Sequence, residues 1–253
     1  MKKIFVLFIL VAVGITACEK NSGYVDSSLA ATGARVKFVH ASHNAPSVIF
    51  YGKDTTLKFS SGTPTTTNII QGTAYAATYP VNDYGLLPAY NDQLQIRIPP
   101  NSPVDPNIFK AVGSLNVEHD KNYSVFLVDE YPTVNTIVLN DNISNFNTIG
   151  DSMYRARLVN ATVGSTAYDV FSVKQNAVII SNVAYKSGSD FVELKIPSSL
   201  PDEIQVRLAG TSTIVARITS FTPTQKRTYT WFSRGKTGGT GTAVPALSFY
   251  TNQ

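Results

Sequence analysis

Apolar and polar residues alternate along much of this chain with the period of a β-strand. Val36 and Phe38 alternate with Arg35 and Lys37, and Ala156 and Leu158 alternate with Arg155 and Arg157. Successive side chains of a strand point to opposite faces, so each pattern predicts a strand with one buried face. Both segments belong to a longer match. Arg35 to Tyr51 aligns without gaps on Arg155 to Phe171, and each copy reads as strand, polar turn, strand. Further matches follow in the same order. Thr73-Ala74-Tyr75 matches Val183-Ala184-Tyr185, Leu94 to Ile98 matches Ile204 to Leu208, and Tyr123 to Leu127 matches Tyr229 to Ser233.

Each copy thus carries roughly seven short strands over about 100 residues, with no helical period of useful length. Turn chemistry separates them, as at Tyr51-Gly52-Lys53-Asp54, Pro99-Pro100-Asn101-Ser102-Pro103 and Ala209-Gly210. The expectation is an all-β chain of two tandem antiparallel β-sandwich domains, immunoglobulin-like or related, spanning 34–148 and 152–253. Asn140 to Asp151 reads as a linker short enough for the sandwiches to touch. Tyr123 and Tyr229 each open a late strand after a polar turn. They are candidates for tyrosine corners or for plain core tyrosines.

Ahead of the repeat the pattern changes. Lys2 and Lys3 precede a near-continuous apolar run, Ile4 to Ile15. At about 12 residues the run falls short of the roughly 20 that span a bilayer, but it suits a signal-peptide core. It ends in Ile15-Thr16-Ala17-Cys18, which resembles the bacterial lipobox. That resemblance implies cleavage between Ala17 and Cys18, a diglyceride on the Cys18 sulfur, and a further acyl chain such as palmitate on the new amine. The rival reading is an ordinary secretory signal with an incidental cysteine. The expected order is signal peptide 1–17, lipidated Cys18 and flexible tether 18–33, and a cell-envelope lipoprotein held at the outer membrane. Several acyl chains anchor stably at about 0.8 kcal/mol per buried CH₂. The tether, about 15 residues of polar coil, reaches on the order of 20 Å.

Composition narrows the function classes. With 43% apolar and 15% charged residues, the 253-residue chain can fill packed cores. Losing Lys2 and Lys3 with the leader lowers the net charge from +4 to +2. That charge, without any Lys/Arg run, gives no footprint for nucleic acid. Cys18 is the single cysteine, so the mature fold has no disulfide.

Arg35-x-x-x-Val39-His40-Ala41-Ser42, followed by Ala45-Pro46, has a counterpart in Arg155-x-Arg157-x-Val159-Asn160-Ala161-Thr162 with Asp169-Val170-Phe171. Together with Tyr229 to Gly235 and Ala246 to Phe249, these motifs resemble the bacterial family called domain of unknown function 4397. The resemblance covers residues 34 to 253. It departs at Ile49, where the family often carries Asp, and at His43-Asn44, where Ser-Pro-Asp is commoner. It implies a secreted or surface-anchored β-sandwich protein and transfers no functional residue.

Candidate chemistry is sparse. His40-Ala-Ser-His43 has a metal-pair spacing, but His40 falls on the inward parity of its strand and is Asn160 in the second copy. A side chain replaceable by Asn is expected to bond turn backbone, not zinc. His119 is the remaining histidine, and nothing completes a ligand set, so no metal or cofactor is expected. Gly235-Lys236-Thr237 invites a phosphate-loop reading, yet the motif's first glycine would fall at Thr230 inside a strand, so it reads as a flexible loop. Asp129-Glu130 and Asp202-Glu203 are neighbours whose side chains point apart, so no catalytic residues are assigned. Arg35, Lys37, Arg97, Arg155, Arg157 and Arg207 share an outward parity. They read as a solvated basic sheet face or, alternatively, a weak site for acidic glycans or lipid head groups. Tyr75, Tyr79, Tyr84 and Tyr90 could form a sugar-stacking platform, although Tyr75 recurs as Tyr185 and so reads as core.

The expected function is a non-catalytic binding or adhesion module of the envelope, attached to the membrane by its lipid and taking a protein or glycan ligand. The alternatives are a structural accessory subunit docking onto an outer-membrane assembly and a hydrolase with an unrecognised site. A cleft with aromatic walls favours ligand binding, and a large exposed apolar patch favours docking.

Overall fold

The computed structural model describes residues 33–55, 58–59, 72–141 and 149–252. The expected leader, Cys18 and tether lie outside the described residues. In the first half of the chain the strands are β1 (Ala34–His40), β2 (Ile49–Gly52), β3 (Thr78–Tyr79), β4 (Gly85–Leu87), β5 (Tyr90–Arg97), β6 (Phe109–Val117), β7 (Asn122–Glu130) and β8 (Thr133–Asn140). In the second half they are β9 (Met153–Asn160), β10 (Tyr168–Ser172), β11 (Ala177–Val183), β12 (Ser187–Gly188), β13 (Val192–Lys195), β14 (Asp202–Leu208), β15 (Ile214–Phe221), β16 (Thr228–Arg234) and β17 (Ala246–Thr251). Among the described residues no helix is long and apolar enough to cross a membrane.

The chain is an all-β sandwich fold. In the first half, β3 and β4 pair with β1, then β7 and β8 follow; β2, β5 and β6 form the opposing sheet. In the second half, β12 and β13 pair with β9, then β16 and β17 follow; β11, β10, β14 and β15 form the opposing sheet. Registers repeat as well. Val36 lies opposite Tyr123 and Ala156 opposite Tyr229, while Ile49 lies opposite Arg97 and Asp169 opposite Arg207.

The sheets are not purely antiparallel, contrary to the sequence expectation. β1 pairs with β7, and β9 with β16, in parallel. After β1 the chain crosses to the opposing sheet at β2, returns for β3 and β4, and crosses again through β5 and β6 before β7, so β1 and β7 run in the same direction. A parallel pair needs such a crossover and cannot come from a hairpin.

Burial explains the rest of the layering. Val36 and Phe38 of β1 pack in one core with Val125 and Leu127, and Ala156 and Leu158 of β9 pack in a second with Tyr229 and Trp231. The opposite faces of the same strands are also buried. Val39, Ala41, Phe126 and Val128 pack against Val159, Ala161, Phe232 and Tyr250 in a third core that joins the halves. Matched residues meet there: the rings of Phe126 and Phe232 lie 5.8 Å apart, edge to face. Asn140 ends β8 and Asp141 is buried, so this part of the expected linker belongs to the fold.

Tyr123 and Tyr229 act as corners. The Tyr123 hydroxyl accepts the Glu118 N–H at 3.3 Å, and the Tyr229 hydroxyl accepts the Thr224 N–H at 3.0 Å. Each bond reaches five residues upstream and ties the incoming turn to its late strand.

Candidate ligand cleft and the buried polar network

The expected basic face does not exist as one surface. Arg35, Lys37, Arg155 and Arg157 stand on β1 and β9, while Arg97 and Arg207 stand on β5 and β14 in the opposing sheets. Arg35 is exposed. Arg97 donates to Asn107 at 2.7 Å, Arg207 donates to Gln205 at 2.6 Å, and Arg155 pairs with Glu193 at 3.2 Å. Lys37 and Arg157 are 0% and 2% exposed, because the outward face of β1 and β9 is covered by the other half of the chain. Alternation revealed two faces but not that both would be buried.

These two cations sit in a polar network that spans the halves. Arg157 pairs with Asp141, and its Nε donates to Thr230 at 3.1 Å. Asp141 also accepts from Tyr84 at 2.5 Å and Ser124 at 2.7 Å. Asn252 accepts from Thr230 and donates to Tyr84, both at 2.7 Å. Lys37 donates to the Pro80 carbonyl at 3.0 Å and to that of Asn82. Burial lowers its ammonium to about 8, against the pull of Asp83 and Asp141. Burial would also lower the Arg157 guanidinium, but Asp141, together with Tyr250 and Tyr84, raises the group. With a partner for each charge, this network is structural cement between the halves.

At the far end of the shared core, Glu130 and Lys236 pair at 2.8 Å. Beside them Asp129 accepts from Tyr185 at 2.5 Å and Asn135 at 2.7 Å, and pairs with Lys186 at 2.7 Å. Burial would raise the Asp129 carboxyl, but these three donors and the Lys186 charge hold it below the usual range. Gly235 to Thr237 is not a free loop: Lys236 N–H donates to Ala243 and Thr237 N–H to Val163, both at 2.9 Å. Asp202 accepts from the Ser172 hydroxyl at 2.5 Å and the Lys174 N–H at 2.9 Å, which fixes a turn.

His40 is fully buried, and its Nε2 lies 2.9 Å from the Pro46 carbonyl. Asn160 donates to the Thr166 carbonyl at 3.0 Å, the same reach of six residues. Burial lowers His40 to about 4, so the ring is neutral and Nε2 carries the donated proton. Among the described residues no group of three His, Cys, Asp or Glu is placed to hold a metal.

By fixing Pro46, His40 shapes one wall of a cleft of about 540 Å³ past the C-terminal end of β1. His43, Pro46 and Tyr75 line one side, and Pro99 to Val104 the other, with Thr242 at the rim. The His43 and Tyr75 rings meet edge-on, 6.4 Å apart. The second wall is held by its own bonds. Ile98 N–H donates to Ile108 at 2.9 Å, Asn107 N–H to Ile98 at 3.1 Å, and the Ser102 hydroxyl to Val104 at 2.7 Å. No charged side chain stands among the described residues that line the cleft.

The expected tyrosine platform is dispersed. Tyr84 joins the polar network, Tyr90 meets Phe59 edge to face at 4.9 Å, and Tyr75 alone of the four lines the cleft. Pro99-Pro100-Asn101-Ser102-Pro103 reads as turn punctuation in sequence, which conceals its part in the cleft. The signal was available in the unequal connections: residues 98–108 join β5 to β6, but 209–213 suffice between β14 and β15.

No family model matches this chain, and no curated protein matches it in sequence.

Proposed function

We propose that this chain is a lipid-anchored, non-catalytic binding or adhesion module of the bacterial envelope, with the His43–Tyr75 cleft as its ligand site. The observation that carries the reading is that cleft, preformed between proline-stiffened walls and of a volume usual for small-ligand sites, about 300–1,000 Å³. Its position fits an anchored protein. The chain joins β1 at Gly33, and the cleft lies beyond the other end of that strand. Seven residues at about 3.3 Å each make that roughly 23 Å. A ligand held there is presented away from the attachment of the tether.

The anchor is tested by Cys18→Ser, which is expected to abolish acyl labelling and free the protein from membrane fractions. Processing and labelling like the wild type would sink the lipoprotein reading. The cleft is tested by Ala74→Trp, an exposed lining position where a large ring fills the space. Binding to purified envelope saccharide or protein fractions is expected in the wild type and lost in the variant.

The alternative, an accessory subunit docking onto an outer-membrane assembly, draws on exposed apolar residues beside the same loop. Val104, Ile108 and Phe109 are 45%, 48% and 40% exposed. A partner subunit whose capture needs Ile108 but not Ala74 would favour that reading.

A further inference from the structure

We infer that the cleft takes the end of an uncharged saccharide chain, an inference that rests on the binding reading above. Charge comes first. A charged ligand gives up hydration on entering a cleft, and without an opposite charge in the wall that loss is uncompensated. The described lining offers none. The rings of His43 and Tyr75 and the carbons of Pro46 and Pro103 offer apolar surface, against which the C–H faces of a sugar ring can pack.

Free polar groups come second. The Asn101 amide and the Ser47 and Thr242 hydroxyls line the same cleft, and among the described residues none has a side-chain or backbone partner. By contrast Asn44 is engaged with Glu130 and Ser102 with Val104. A neutral array of one amide and two hydroxyls matches a ligand that is itself an array of hydroxyls. It is a poor match for an extended peptide adding as a strand. The backbone at the floor is already paired, Val48 with Thr73 at 3.0 and 2.7 Å in both directions.

The experiment uses the chain from Gly33 onward, which forms one compact unit with its own cores. Neutral oligosaccharides ending in hexose or N-acetylhexosamine are arrayed beside sialylated and uronic-acid glycans and a proline-rich peptide. The expected result is binding to a neutral member, its affinity unchanged as ionic strength rises from about 0.01 to 1 M. Tyr75→Ala should weaken it at least about tenfold, and Asn101→Ala by a smaller factor. Tyr75→Phe, which keeps the ring, should retain it, and an unchanged melt of Tyr75→Ala separates lost ring contact from lost fold. Preference for acidic glycans or for the peptide, blocked by Ala74→Trp, would overturn the saccharide inference and leave the cleft reading standing. Binding to neutral sugar that Ala74→Trp leaves intact would overturn both.

Discussion

The two halves of this molecule use matched positions in two ways, and the contrast separates what folds each half from what joins them. Where the fold needs a bond, the halves solve the same problem with related residues. His40 and Asn160 each fix the turn six residues on. Lys37 packs over the Tyr84 ring at 5.6 Å, and Arg157 over Phe191 at 4.4 Å, with both rings placed just before the matched strands β4 and β13. Ser124 bonds Asp141 as Thr230 bonds Asn252. Where the halves meet, matched residues diverge and become complementary. Glu130 faces Lys236, and of the matched pair Asp141 and Asn252 one alone carries the charge that neutralises Arg157. The divergence removes like-charge contacts that two identical halves would make where matched residues meet.

The severest way to break this comparison is to separate the halves. Residues 152–253 keep a full core around Tyr154, Trp231 and Phe221, but lose the cover on Val159, Phe232, Tyr250 and Arg157. The fragment is expected to fold as β structure and self-associate through that face, seen as concentration-dependent mass in light scattering. A second copy of the fragment is a poor substitute, because Arg157 would meet Asn252 and find no carboxylate. A monomeric fragment with dispersed amides at high concentration would show that the shared core adds little.

Within the intact chain, Asp141→Ala should cost about 3–5 kcal/mol in denaturant melts, since it strands a buried guanidinium. Asn252→Ala, at the matched position, removes neutral bonds from Thr230 and to Tyr84 and a long bond to Asp141 at 3.4 Å, and should cost about 1–2 kcal/mol. Equal costs would mean that the asymmetry of charge does not hold the halves together.

These residues also mark what was legible in the sequence. Strand positions, the repeat and the inward parity of His40 followed from alternation, because one buried face leaves a period of two. The burial of Lys37 and Arg157 did not, because a charged residue at an outward position reads as solvated until its partner is known. Lys37 finds its carbonyl partners at Pro80 and Asn82 and Arg157 finds Asp141, separations that leave no pattern along a strand. The cleft was hidden for a related reason. Its two walls, at His43–Ser47 and Pro99–Val104, come together through the pairing of β2 with β5. Residues 1–32 lie outside the described residues, and the proposal for them rests on the resemblance of Ile15-Thr16-Ala17-Cys18 to the lipobox.

The mildest test is chemical and compares His40 with Asn160, since one titrates and the other does not. Burial lowers the folded His40 from 6.5 to about 4. Between those values the unfolded chain binds a proton that the folded chain refuses, so stability rises with pH across the window and is lost as pH falls. That difference corresponds to about 3 kcal/mol at the acid end and almost nothing at pH 7. Asp129 is held low and loses its contribution at more acid pH, so the effect is read as the difference between wild type and His40→Asn. That variant should melt with a flatter dependence between pH 6.5 and 4. At pH 7 it should pay on the order of 1 kcal/mol, because the new amide nitrogen can reach Pro46 but its oxygen lacks the two hydroxyl donors that Asn160 has. In the second half that oxygen accepts from the Ser165 and Ser233 hydroxyls at 3.0 and 3.1 Å, and the matched residues here are Ala45 and Leu127. Adding Ala45→Ser should therefore recover part of the loss at pH 7 without restoring the acid slope. An acid slope that persists in His40→Asn would place the titrating group elsewhere and end the equivalence of His40 and Asn160.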